Sequence, residues 1–177
     1  MPASRKSHAG PARLGADVQR KIGLISDTHG LLRPEALRAL RGSDLIVHAG
    51  DVGDNPSILE ALANIASVVA VRGNVDTADW AKSLPETAVA QAGGVNIYVL
   101  HDVKTLALDL QASEFGVVVS GHTHQLSRSE RNGILYVNPG SAGPRRFSLP
   151  ITVATLDLGV TPWTVEFVDL EKGRRVN

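Results

Sequence analysis

The 177-residue chain contains no cysteine. That single absence excludes disulfides, thiolate metal sites and cysteine nucleophiles together. It also fits a reducing cytoplasm, where we expect the protein to reside. There is no excess of charge either: 18 basic residues face 18 acidic ones. Without a global basic field, no specific nucleic-acid partner is expected, although one pocket can still attract an anion. No apolar run approaches the roughly 18 residues of a membrane span, so no membrane partner is expected. Residues 1–20 carry basic side chains but no apolar stretch, so they do not read as a secretory signal. They read as a flexible N-terminal tail, with an organelle-targeting role as the lesser alternative. No internal repeat, low-complexity stretch or further linker is visible, and nothing supports a homo-oligomer. Residues 21–177 are therefore expected to form a single domain.

What the chain does have is 43% hydrophobic residues, enough for one sizeable core. Lys21 to Ser26 is a short apolar run of the buried-strand kind. Pro34 opens a helix with Leu37 and Leu40 on one face and Gly42 as its stop. Asp44 to His48 is a second buried strand. Asn55-Pro56 reads as an N-cap and first helical residue ahead of Ile58, Leu59, Leu62 and Ile65. Ser67 to Val71 is a third strand. This βαβαβ order implies a parallel sheet with right-handed crossovers. The second half changes character. Gly93-Gly94 and Asn132-Gly133 sit between apolar runs as hairpin signals. A helix is expected over Lys104 to Glu114, with Leu106 and Leu110 inward. Strands are expected at Val117 to Ser120, Ile151 to Leu158 and Trp163 to Leu170. The fold class implied is α/β: two sheets face to face with helices outside, an α/β/β/α sandwich.

The chemistry-bearing residues share one address. Asp27 and His29 follow the first strand, Asp51 the second and Asn74 the third. His101 ends the strand after the Gly-Gly hairpin, and His122 and His124 follow the strand beginning at Val117. All lie just past carboxyl ends of expected strands, where α/β sheets place their sites. Glycines at 30, 50, 53, 73 and 121 adjoin most of them and permit tight turns. Taken singly, each has an ordinary reading: surface loop, turn or hydrogen-bonded core histidine. Four of six histidines at strand ends, joined by two carboxylates and an amide, point instead to a shared metal site.

Gly23-Leu24-Ile25-Ser26-Asp27-Thr28-His29, Gly50-Asp51, Gly73-Asn74, His101 and Gly121-His122-Thr123-His124 resemble the calcineurin-like metallophosphoesterases. The resemblance runs from about Ile22 to Ser141. Asn138-Pro139-Gly140-Ser141 narrows it to the small single-domain YfcE-type phosphodiesterases. It implies that Asp27, His29 and His124 hold one metal, that Asn74, His101 and His122 hold a second, and that Asp51 bridges them. Asp51, Asn74 and His101 are the expected catalytic set. A sulfur-free set of imidazoles and oxygens suits Mn, Fe, Zn, Ni or Co, and we expect two divalent ions, Mn first. Such a site stays net positive and takes a small phosphate ester as substrate. The expected reaction is in-line attack on phosphorus by hydroxide generated at the metals, without a phospho-enzyme.

Two positions depart from the pattern. Val75 stands where many relatives carry a proton-donating histidine, and Asp102 where glycine is common. Asp102 either caps a following helix or tunes His101 as a neighbouring carboxylate. His48 either supports Asp51 or packs as a core histidine. Asp76 either orients a ligand or caps a turn. Arg145 and Arg146 either reach substrate phosphate or lie solvated in a loop, and Asn138 either edges the cleft or serves a turn. Retromer's metallophosphoesterase-like subunit offers a competing precedent, an interaction scaffold of similar size and motifs. A purely structural metal site is a third reading, but such sites are usually closed and thiolate-rich.

Overall fold

The computed structural model describes residues 20–110 and 112–176. The expected N-terminal tail lies outside the described residues except for Arg20. That residue belongs to the fold: its carbonyl accepts from the Leu158 amide at 2.8 Å, and its own amide donates to Asp44 Oδ2 at 3.0 Å.

The first half alternates as its sequence pattern dictates: β1 (Lys21–Ile25), α1 (Pro34–Ala39), β2 (Leu45–His48), α2 (Ser57–Ala63) and β3 (Ser67–Ala70). β1 pairs parallel with β2, and β2 with β3. All four residues of β2 are buried, as a central strand covered on both faces requires. Pro34 begins α1 as expected. Asn55 lies just ahead of α2, and its Oδ1 accepts from the Ser57 amide at 3.2 Å.

The second half supplies β4 (Thr87–Ala92), β5 (Val95–Leu100), β6 (Phe115–Val119), β7 (Ser127–Arg131), β8 (Ile134–Asn138), β9 (Thr152–Asp157), β10 (Thr164–Asp169) and β11 (Arg174–Val176). β9 returns to pair antiparallel with β1. The first sheet therefore runs β11-β10-β9-β1-β2-β3, and the second β4-β5-β6-β8-β7. Both expected hairpins form with two-residue turns. Gly93 and Gly94 have φ of 57° and 78°, and Asn132 and Gly133 have 52° and 76°. This left-handed pair matches the twist of the flanking strands.

The sheets face each other across one core. Ile22, Leu24 and Val47 from the first sheet meet Ile97, Val99, Val119 and Val137 from the second. Helices α1 and α2 cover the outer face of the first sheet through Ala36, Leu40, Ile58 and Leu62. The outer face of the second sheet differs from expectation. No helix spans Lys104 to Glu114 among the described residues; a short 3-10 turn at Val103–Thr105 gives way to turns. Asp102 Oδ1 accepts from the Lys104 amide at 3.0 Å, and Asp109 Oδ1 from the Ala112 amide at 3.2 Å. Ser113 Oγ donates to the Asp109 carbonyl at 2.9 Å. Such local bonds compete with a helical ladder. The apolar spacing was still informative, because Leu106 and Leu110 pack on Leu100, Val118 and Ile134. No described helix is long and apolar enough to cross a membrane.

Candidate metal centre

The seven residues singled out above gather where β1, β2, β3, β5 and β6 end. Five of them carry backbone that L-residues rarely adopt: Asp27 (φ 53°), His29 (46°), Asp51 (54°), His122 (69°) and His124 (60°). Among the described residues only eight non-glycine positions have positive φ, so the unusual backbone concentrates here. Each such residue costs of order 1 kcal/mol, and such residues collect at functional sites. The left-handed turn also shapes the His122-x-His124 segment. Residues i and i+2 in plain extended chain point the same way and share one set of surroundings, whereas this bent segment brings His124 to Asp27 and the more exposed His122 to Asn74.

One cluster forms around Asp27, which is fully buried. Its Oδ2 is occupied: it accepts from the Ser26 hydroxyl, and from the His122 amide at 3.1 Å. Its Oδ1 has no hydrogen-bond partner. That oxygen lies 3.2 Å from His124 Nε2 and 3.9 Å from His29 Nε2. The two imidazole nitrogens are themselves 3.2 Å apart. Three ligand-type atoms thus converge within 4.8 Å of one another. Burial lowers the His29 pKa, against the pull of Asp51 and Asp27, and the charges of His124 and Arg146 lower it further. A neutral imidazole is the form that ligates a cation.

The second cluster centres on Asp51. Its Oδ1 accepts from the Val75 amide at 3.0 Å. Its Oδ2 stands 3.2 Å from His101 Nε2 and 4.0 Å from His29 Nε2, between the two groups. Burial pushes the Asp51 pKa up, but hydrogen bonds from His101 and the Val75 amide outweigh it, and the net shift is downward. Burial likewise pulls His101 down, and its contacts with the Asp51 carboxylate and the Ala49 carbonyl reverse it, for a net rise. His101 Nδ1 meets that carbonyl at 2.8 Å, so Nδ1 carries a proton and Nε2 faces the site. Asn74 Oδ1 lies 3.1 Å from His101 Nε2 and 3.0 Å from His122 Nδ1. Gly73 is required beside it, because an added Cβ would collide with the Asp51 carboxylate and amide.

This donor set fits divalent cations. A fully buried carboxylate oxygen with no hydrogen bond is costly unless something positive meets it, and Asp27 Oδ1 is such an oxygen. Four imidazoles, two carboxylates and an amide, without thiolate, suit borderline transition metals.

The supporting residues are rearranged relative to expectation. His48 does not reach Asp51; its Nε2 bonds Thr28 Oγ1 at 2.9 Å, between Asp27 and His29 in sequence. Complete burial lowers its pKa to about 4, against the charges of Asp27 and Asp76, so it is neutral. Asp76 ties loops together: it accepts from the amides of Val52 (3.2 Å), Gly53 (2.8 Å) and Gly73 (2.8 Å). Asp102 caps the 3-10 turn, as its first reading had it; its other oxygen lies 3.8 Å from His122 Nε2 and not against His101, the residue it was expected to tune. Asn138 serves a turn, the second of its two expected roles. It is buried, donating to the Gly121 carbonyl (2.7 Å) and Thr123 Oγ1 (3.1 Å) while accepting from the Gly140 amide. It fastens the loop that carries His122 and His124. Arg145 is drawn away into an ion pair with Glu171. Arg146 stays near enough for its charge to act on His29. Val75 turns its side chain to solvent and offers the site only its amide. Sequence reading missed Arg72, which adjoins Asn74, His101 and His122 along one groove. Its place directly before Gly73-Asn74 was the available signal.

Residues 21–160 match the family model described as the calcineurin-like phosphoesterase superfamily domain. The chain is 40% identical over 133 residues to a probable metallophosphoesterase of Methanocaldococcus jannaschii, covering 68% of this chain and 67% of that one. Among solved structures it is similar to Yfce, a phosphoesterase from E. coli, with TM-score 0.67 and 24% identity over 89% of this chain and 97% of that one. It is also similar to Vacuolar Protein Sorting 29 from Cryptosporidium parvum, with TM-score 0.74 and 25% identity over 90% and 96% of the two chains.

Proposed function

Because the chain belongs to the calcineurin-like phosphoesterase superfamily, we propose that it hydrolyses phosphate esters, diesters above all, with two divalent cations held by its seven-residue centre. The observation that carries this reading is the unpartnered, buried Asp27 Oδ1 facing His29 and His124. Asp27, His29 and His124 would hold one cation, Asn74, His101 and His122 the other, and Asp51 Oδ2 would bridge. Bound there, the cations supply positive charge to the phosphate and acidify a water to serve as nucleophile at neutral pH. Manganese is the first cation to try.

The chain's own residues prepare that chemistry. Ser26 and the His122 amide hold Asp27 by one oxygen, leaving the other to point inward. The Val75 amide does the same for Asp51. The Ala49 carbonyl fixes the His101 tautomer. No side chain at position 75 hands a proton to the leaving group, and a general acid contributes about 10²–10⁴-fold. Turnover is therefore expected to be slow and to favour good leaving groups. The diester preference is supported by the openness of the centre: the His122 side chain is 41% exposed, leaving room for a substituent on either side of the phosphate.

The likeness to Vacuolar Protein Sorting 29 supports a second reading, an interaction scaffold. Five left-handed ligand residues weigh against it, since a scaffold gains nothing from that strain. Bis-p-nitrophenyl and mono-p-nitrophenyl phosphates with Mn²⁺ decide between them. Asp51→Asn should lower turnover at least about a thousandfold, because several kcal/mol of charge stabilisation is lost. Absence of metal-dependent turnover on any ester would establish the scaffold instead.

A further inference from the structure

Beside Asn74, His101 and His122 runs a groove of about 280 Å³, which they share with Arg72, Glu86 and Asp102. That is well above the roughly 30 Å³ share of one water, so a phosphate-sized group fits. Arg72 is held at its base: its amide donates to the Pro85 carbonyl at 2.7 Å. Its guanidinium donates to Glu86 Oε1 at 2.7 Å. The Arg72 side chain is 29% exposed, whereas that of Glu86 is 80% exposed. An ion pair whose acidic member stands in water contributes little net stability, so the guanidinium can exchange Glu86 for an incoming anion. Asp102 is already engaged, with the Lys104 amide on one oxygen and His122 near the other. Among the described residues lining the groove, Arg72 is the sole permanent cation. It pairs with neither Asp27 nor Asp51 but with Glu86. Its guanidinium is thus turned to a carboxylate that is 80% exposed rather than to the buried carboxylates of the centre.

We infer that Arg72 is a specificity residue that holds a second anionic group, a phosphate or carboxylate, on a substituent of the phosphate ester. The substrate class is thus a polyanionic ester. This rests on the phosphoesterase reading for its substrate and on the groove alone for its anion site. A guanidinium suits the task because it can bind such a group through two parallel N–H bonds.

Titration calorimetry on the manganese-loaded protein compares thymidine 3′,5′-bisphosphate with thymidine 5′-monophosphate, the nucleoside serving only as carrier. Kinetics compare the 5′-p-nitrophenyl esters of the same pair. Wild type should prefer the member with the added 3′-phosphate by about tenfold, the scale of one charged hydrogen-bonded contact. Arg72→Gln should bring the ratio close to one, and Arg72→Lys should keep part of it. Glu86→Gln, at an exposed position, should enlarge the ratio by removing the competitor. A ratio equal in all of these proteins, or near one in wild type, overturns the anion site. If the esters are turned over with an unchanged ratio, only this inference falls. If no ester is turned over yet calorimetry retains an Arg72-dependent ratio, the hydrolase reading falls and the anion site stands.

Discussion

Two sets of left-handed backbone in this protein do opposite things. At the hairpins, Gly93, Gly94 and Gly133 take positive φ where nothing has to be presented. Glycine adopts that conformation without a Cβ penalty, and an added Cβ at Gly94 or Gly133 meets open space. At the candidate metal centre, Asp27, His29, Asp51, His122 and His124 take nearly the same φ while carrying the side chains proposed as ligands. There the bend brings His124 to Asp27 and His122 to Asn74, so the strain goes with a gathering of polar side chains. Turn chemistry chosen for folding thus differs from turn chemistry chosen for a site, although the dihedral angles are alike.

The comparison can be attacked first at Gly73. An added Cβ there collides with backbone and carboxylate of Asp51 rather than with a flexible tip. Gly73→Ala should lower stability by more than about 3 kcal/mol and turnover by about a hundredfold or more. Near-normal urea melts would show that the ligand loops give way more easily than the geometry implies.

Acid tests the same loops next. The folded pKa of His48, about 4, lies below the ordinary 6.5, so the unfolded chain protonates first as pH falls. Stability of the metal-free protein should decline from about pH 6.5 and level off below about pH 4. The loss should total about 3 kcal/mol. Denaturant midpoints of wild type and His48→Gln across that window read the contribution directly; parallel curves would sink it.

Smaller effects contrast the two sets most sharply. Gly94→Ala, in open space at φ 78°, should cost about 1 kcal/mol with no change in metal-dependent turnover. His122→Gly should do the reverse, raising metal-free stability by about 0.5 kcal/mol while abolishing turnover. Loss of stability in His122→Gly would mean that the bend is relaxed rather than strained.

Much of this was legible in the sequence. The apolar runs of β1, β2 and β3, and the Gly-Gly and Asn-Gly turns, announced strands and hairpins through local preference. The gathering of the seven candidate residues at one place was legible because strand ends in an α/β sheet converge. What escaped was decided partly by local side-chain bonds and partly by long-range partners. Leu106 and Leu110 are spaced like a helix, yet Asp102 and Asp109 bind nearby amides instead. His48 chose Thr28, Asn138 chose the Gly121 carbonyl, and Arg145 chose Glu171. None of those partners lies within reach along the chain. β11 was missed as well, since Arg174 to Val176 becomes a strand only by pairing with β10.

Asp76 has a consequence for cation uptake. One carboxylate gathers amides from the loop after β2 and the loop after β3. The spacing between Asp51 and Asn74 is thereby set by the polypeptide itself. Ions taken up as proposed would find a preorganised cage and need not spend binding energy on ordering it. Occupancy should then follow supply, with loading and stripping leaving the fold unchanged.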